Sequence, residues 1–310
     1  MIPSNKKIER MIQIARLYYE EDMTQHLIAQ KLGISRPLVS QLLTEAKSCG
    51  IVTIRINEVE NREALLKHQL IERFGLTSAV VVPDDSSQEE TDRAIASAAY
   101  QHCFQTDITG RNVGIGFGPI LGLMADLADG MPTRPQHAGH IFPLIGGISD
   151  SARGSHTNEM IRILACKAGF QGDYLYAPAV FESEAELEQA KKMSPGHTVS
   201  LLWDHMDLAI LNIMDYPVSQ YSATALQEVP PQYRAVGQIL GHCYSAQGEP
   251  IPLKCNNVFQ ASADQLRSAG QVVALCSAGL NPASVAGALN LDLIHTLILP
   301  VSLAQQLLNN

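Results

Sequence analysis

Arg36, Ser40, Gln41, Thr44 and Lys47 recur at helical spacing and leave Leu38, Val39, Leu42, Leu43 and Ala46 on the other side of the same helix. A guanidinium, an amide and hydroxyls on one exposed helix face are the groups that read base edges in the major groove. Arg36 can pair with guanine and Gln41 with adenine. Lys47 at the far end, and Thr24 and Gln25 at the start of the preceding helix, suit phosphates, which position a protein on DNA without specifying sequence. The candidate DNA-contacting set is Thr24, Gln25, Ser35, Arg36, Ser40, Gln41, Thr44 and Lys47.

A second chemistry is suggested by three glycine-rich segments: Gly114-Ile115-Gly116-Phe117-Gly118, Gly146-Gly147-Ile148 and Ala278-Gly279-Leu280-Asn281. Glycines let backbone amides approach an anion, and a following helix N-terminus favours negative charge. Any one of these could be a tight turn that needs glycine for geometry alone. Three at strand ends favour a polar pocket ready for an anion. The spacing in the first is GxGxG, not GxGxxG, so no dinucleotide cofactor is expected. Catalysis would need a poised acid–base pair, with Glu159, Asp204, His205 and Asp207 as candidates. The run Asp204-His205-Met206-Asp207 precedes a strand, away from the end where ligands bind, so no enzyme activity is expected. His137 and His140 stand three apart without a third ligand, and no metal is expected.

These groups need elements to hold them. Residues 5–50 read as three helices: Lys6–Glu21 with Ile8, Ile12, Ala15 and Tyr19 apolar, Gln25–Leu32, and a third capped by Ser35 with Pro37 in its first turn. Thr24 caps the second helix and Gly33 ends it. The run Ile51–Ile56 alternates like a small wing. Residues 58–76 read as a linker helix. Beyond Ala79, apolar runs alternate with helices. The strands are Ala79–Pro83, Asn112–Phe117, His140–Ile145, Tyr174–Ala177, Leu208–Met214, Val272–Ser277 and Leu293–Leu299. The helices are Glu89–Phe104, Ile120–Leu127, Thr157–Ala168 and Ser183–Lys192. Such alternation implies a mostly parallel sheet covered on both faces. The fold class is therefore α/β: a small all-α, winged helix-turn-helix domain (1–56), then a large doubly wound domain (57–310, with 57–77 as the linker).

Charge agrees with that division. The chain of 310 residues has net charge −9, yet residues 1–56 carry eight Lys or Arg against five acids, and the remainder carries 14 against 26. A basic head on an acidic body fits DNA contact at one end. Six cysteines without a CxxC pair, a polar start and no apolar run of membrane length lead to the expectation of a cytoplasmic protein with buried free thiols and no membrane contact.

The chain resembles the SorC family of bacterial sugar-responsive regulators, which is DeoR-like. The resemblance rests on Ile14–Glu20, Met23-Thr24-Gln25, Ile28–Arg36, Val39–Leu43 and Gly50-Ile51-Val52. In the large domain it rests on the three glycine-rich segments, Asn158-Glu159, Tyr176-Ala177-Pro178-Ala179 and Ala235–Gly241. It implies a domain like sugar-phosphate isomerases and deaminases, assembled as a homodimer or homotetramer, that binds operator DNA and a sugar or sugar phosphate. The implied effector-binding residues are Gly114, Gly116, Phe117, Gly118, Gly146, Gly147, Ile148, Asn158, Glu159, Gln238, Gly279 and Asn281. Two positions depart from the family: Gln238, where many relatives have Asp, and Pro282, where many have Lys. A regulator that has lost its ligand therefore stays open as an alternative, as does an enzyme with a DNA-binding head.

Overall fold

The structure is a computed structural model that describes residues 5–21, 23–49, 51–52, 62–105, 108–148, 156–217, 229–254 and 257–309. Two compact units form, Met1–Val59 and Glu60–Asn310.

In the first unit, α1 (Asn5–Tyr19), α2 (Gln25–Leu32) and α3 (Arg36–Ser48) enclose one apolar cluster. The α2 N-terminus is closed by Thr24, whose Oγ1 accepts from the Leu27 amide at 3.4 Å. Gly33 ends the helix at φ +62, a left-handed conformation that glycine adopts without steric cost. Ser35 then repeats the cap by accepting from the Leu38 amide at 3.4 Å. The buried stripe of α1 is Met11, Ile14, Ala15 and Leu17. Ile12 and Tyr19, expected inside, are exposed, because each residue advances the helix face by ~100° and the stripe is centred on Met11 and Ile14. Leu38, expected on the apolar side of α3, is 36% exposed, at the margin of a stripe formed by Val39, Leu42, Leu43 and Ala46. Of the expected wing, Ile51 and Val52 form a bend, and residues 53–56 lie outside the described residues, as do 58–61 of the expected linker helix.

The second unit begins with α4 (Arg62–Phe74), which buries Leu66 and Leu70. Its strands are β1 (Ser78–Val82), β2 (Asn112–Ile115), β3 (His140–Pro143), β4 (Gln171–Gly172), β5 (Leu208–Asp215), β9 (Val272–Leu275) and β10 (Thr296–Pro300), all parallel in the order β1-β10-β9-β5-β2-β3-β4. In β9 and β10 every residue is buried, so both faces of the sheet are covered. The helices that link these strands are α5 (Gln88–Phe104), α6 (Pro119–Asp129), α7 (Thr157–Ala168), α8 (Glu184–Lys192), α9 (Gly196–Trp203), α10 (Ala263–Ser268), α11 (Pro282–Leu289) and α12 (Val301–Asn309).

One expected strand is corrected here. Residues 174–177 do not form a strand. Both amide atoms of Asn158 are hydrogen-bonded to the backbone of Leu175, at 3.1 Å each, so Leu175 is tied to α7 rather than to a neighbouring strand. The sheet is mostly parallel, as expected, with one antiparallel extension. The end of β5 pairs antiparallel with β6 (Gly237–Ile239), which continues through β7 (His242–Tyr244) to β8 (Pro250–Ile251). Among the cysteines, Cys103, Cys243 and Cys276 are buried, and burial pushes the Cys103 and Cys243 thiols up to about 12. Cys49 and Cys166 are exposed, against the expectation of burial, and Cys255 lies outside the described residues.

Candidate functional sites: a helix face and a sheet edge

In the first unit, α3 turns Arg36, Ser40, Gln41, Thr44 and Lys47 outward, all exposed. Thr24 and Ser35 are exposed too, with their oxygens engaged as caps, and Gln25 is half-buried in the first turn of α2. Three of the outward side chains, those of Gln41, Thr44 and Lys47, have partners. Gln41 Nε2 donates to Glu45 Oε1 at 3.1 Å, and Lys7 Nζ lies 2.6 Å from Glu45 Oε2. The hydrogen bond from Lys7, and next that from Gln41, holds the Glu45 carboxyl below its ordinary range. Thr44 Oγ1 donates to the Ser40 carbonyl at 3.1 Å, and the Lys47 ammonium lies 5.9 Å from the Tyr19 ring centre. The face is thus a row of donors with one carboxylate, Glu45, tied down at its flank.

In the second unit, the order in which strands are added reverses between β2 and β5. From β2 the chain steps outward to β3 and β4, and from β5 it steps the other way to β9 and β10. Such a reversal opens a crevice at the carboxyl ends of the strands, where ligands of open α/β sheets bind. The three glycine-rich turns follow β2, β3 and β9, and span four neighbouring strands, roughly 14 Å.

The glycines have separate physical reasons. A Cβ on Gly114 would lie 2.5 Å from the Leu144 side chain, and one on Gly146 would lie 2.5 Å from the Pro178 carbonyl. Gly116 passes within 3.2 Å of both Leu211 and Leu240 by the same construction, and its amide donates to the Ile210 carbonyl. Phe117 is buried. Gly118, at φ +141, starts α6 and leaves room for the side chain of Asn212, which a Cβ would meet at 2.5 Å. Asn212 is itself buried. Its Oδ1 accepts from the Leu121 amide at 3.1 Å, and its Nδ2 donates to the Leu275 carbonyl at 3.3 Å, so it ties the α6 N-terminus to β9 across the reversal.

The backbone amides of Gly146 and Gly147 donate to the carbonyls of Phe259 and Ala177, each at 2.8 Å. Ile148 is buried beside them, and a Cβ on Gly147 would lie 3.6 Å from the His156 ring. Asn158 fixes the Leu175 backbone, as above, and Glu159 forms a two-point pair with Arg162, at 2.7 and 2.9 Å. Gln238 is completely buried on β6. Its Oε1 lies 3.9 Å from Cys243 Sγ, while its Nε2 finds no partner among the described residues. Gly279 lies against Gln88, and Asn281 caps α11 by accepting from the Ala283 amide at 3.0 Å.

Carboxylates that sequence reading passed over occupy this edge. Asp92 of α5 accepts from Ser277 Oγ and from the Ala278 amide, both at 2.7 Å. Asp215, ending β5, accepts from the Asn281 amide at 3.1 Å and from Ser284 Oγ at 2.5 Å. Asp84 accepts from the Ser302 amide at the start of α12 at 2.8 Å. The available signal was a polar residue inside an apolar run: Asn212 breaks Leu208–Met214, and Asp92 sits four residues before Ala96 on a buried helix face. At the opposite edge, Asp207 Oδ2 accepts from the Asn112 amide at 2.8 Å and Asp204 from Gln265 Nε2 at 2.7 Å. These acids serve the strand starts and do not face the crevice.

Both units have counterparts among known proteins. The family model described as "Putative sugar-binding domain" matches residues 60–309, and that described as "Sigma-70, region 4" matches residues 9–48. A sorbitol operon regulator of Klebsiella pneumoniae is 33% identical over 212 residues, 66% of this chain and 65% of that protein. A deoxyribonucleoside regulator of Bacillus subtilis is 28% identical over 98% of this chain and 99% of its own length. The crystal structure of the full-length sorbitol operon regulator SorC from Klebsiella pneumoniae superposes with a TM-score of 0.69 at 25% identity, covering 98% of this chain and all of that one. Among the described residues, no helix is long and apolar enough to cross a membrane.

Proposed function

The chain belongs to the SorC family of sugar-binding transcriptional regulators, and on that footing we propose that it controls a carbohydrate-use operon through a sugar or sugar phosphate bound at the carboxyl edge of its sheet. The observation that carries the reading is the pairing, in one chain, of a capped helix with an exposed polar face and a parallel sheet whose strand order reverses between β2 and β5. The first unit supplies DNA contact through Thr24, Gln25, Ser35, Arg36, Ser40, Gln41, Thr44 and Lys47. The second, with the turns after β2, β3 and β9, supplies effector binding.

A lone helix-turn-helix buries little DNA surface, so specific binding calls for at least a dimer. The working assembly is therefore a homo-oligomer, dimer or tetramer, acting in the cytoplasm. The effector acts by preferring one arrangement of that oligomer, which changes the spacing of its DNA-binding heads. The acids of the amino edge, Asp204 and Asp207, are bound to Gln265 and Asn112. DNase footprinting of the region upstream of its own gene tests the DNA half. A protected site that is lost steeply as salt rises is expected. Protection spread evenly over unrelated DNA would overturn sequence-specific control.

A further inference from the structure

We propose that Glu45 is a positioning residue for base reading: it fixes which end of the Gln41 amide faces the DNA, and so makes Gln41 a reader of bases that carry an amino group. This rests on the reading of α3 as the helix that enters the major groove.

Gln41 is the one carboxamide on α3. A carboxamide has two ends of similar shape and opposite hydrogen-bonding sense, an oxygen that accepts and an NH2 that donates. Left free, it turns about its last bond and offers either end. With the oxygen toward the base it accepts from adenine N6, leaving an N–H for N7, or accepts from cytosine N4. With the NH2 toward the base it donates to guanine O6 or thymine O4. An unrestrained amide therefore separates amino from keto bases poorly.

The first unit removes that freedom. Gln41 Nε2 donates to Glu45 Oε1, one helical turn on, at 3.1 Å. An ionised carboxylate only accepts, so the end of the amide beside Glu45 has to be the NH2. The hydrogen bond from Lys7, and next that from Gln41, lowers the Glu45 pKa, which keeps the constraint in force at neutral pH. The second N–H of Gln41 is left for a base, and among the described residues nothing occupies its oxygen. Glu45 is held in its turn, with Oε2 2.6 Å from Nζ of Lys7 on α1. Lys7 also offsets a charge that would otherwise repel phosphates. The two side chains are 45% and 29% exposed, so the pair contributes little to stability, and its effect lies in orientation. Arg36 needs no such partner, because every edge of a guanidinium donates.

The test is competition binding of the full-length protein to its operator against copies in which each base pair in turn is changed to the other three. Gln41→Ala marks the pair under Gln41 as the one whose preference it erases. There the wild type is expected to favour the amino base over guanine and thymine by about tenfold or more, and Glu45→Ala to cut that margin to about threefold or less at that pair and no other. Glu45→Gln, which can face the Gln41 amide with either end, is expected to do the same, whereas Lys7→Arg keeps the margin. Added to Gln41→Ala, Glu45→Ala is expected to change no preference further. A wild-type margin in Glu45→Ala, relaxation at a different pair, or no preference erased by Gln41→Ala would overturn the inference while sequence-specific binding stands. If the wild type prefers no sequence, the recognition role of α3 falls and this inference falls with it.

Discussion

At the residue scale, neighbours set the positions of the side chains that matter for function. Arg36 stands at the N-terminal end of α3, where a recognition helix meets base edges. Arg36→Ala should weaken binding to the operator and relax sequence preference by about 1–3 kcal/mol, measured by competition against operators mutated one base pair at a time. Unchanged preference would remove Arg36 from base reading. Gly118 makes the reversal crevice passable for Asn212. Gly118→Ala combines an unfavourable positive φ with a direct collision, and should cost about 1–3 kcal/mol of stability and the effector response together. A variant with wild-type melting and wild-type response would show that Asn212 has another place to go.

At the element scale, the helix-turn-helix is legible because its signals are local. The caps Thr24 and Ser35, the Gly33 turn and Pro37 act within one or two turns of their own helix. Thr24→Ala should cost the first unit about 1 kcal/mol, read as a lower chemical-denaturation midpoint for its helical signal. The parallel strands were legible from their continuous apolar runs, whereas β6–β8 were not, because each has only two or three residues and pairs at long range. The glycine turns were legible as turns, but the use of their amides was not. The partners Asp92, Asp215, Phe259 and Ala177 come from distant segments that only the fold brings together.

The same hairpin half-buries His242, and burial lowers its pKa below the ordinary value despite the contact of its Nε2 with the Ala261 carbonyl at 2.9 Å. Between that lowered value and the unfolded value of about 6.5, the unfolded chain binds the extra proton, so stability rises with pH there and falls on acidification below about 6.5. His242→Gln should flatten this acid-side loss in melting temperature. An unchanged pH profile would assign the loss to other groups.

At the scale of the whole molecule, a basic head and an acidic α/β body divide the work, one unit facing DNA and the other a small molecule. Neither unit alone makes a switch, because coupling requires that the ligand bind two arrangements of the protein with different affinity. The most direct test is the affinity of the full-length protein for its own upstream DNA, measured by fluorescence anisotropy while free and phosphorylated sugars are titrated in. The account predicts that one of them shifts the DNA affinity by about fivefold or more, within the usual range of allosteric coupling. Specific DNA binding that no sugar alters would contradict it, and would leave a DNA-binding protein whose large domain senses no sugar.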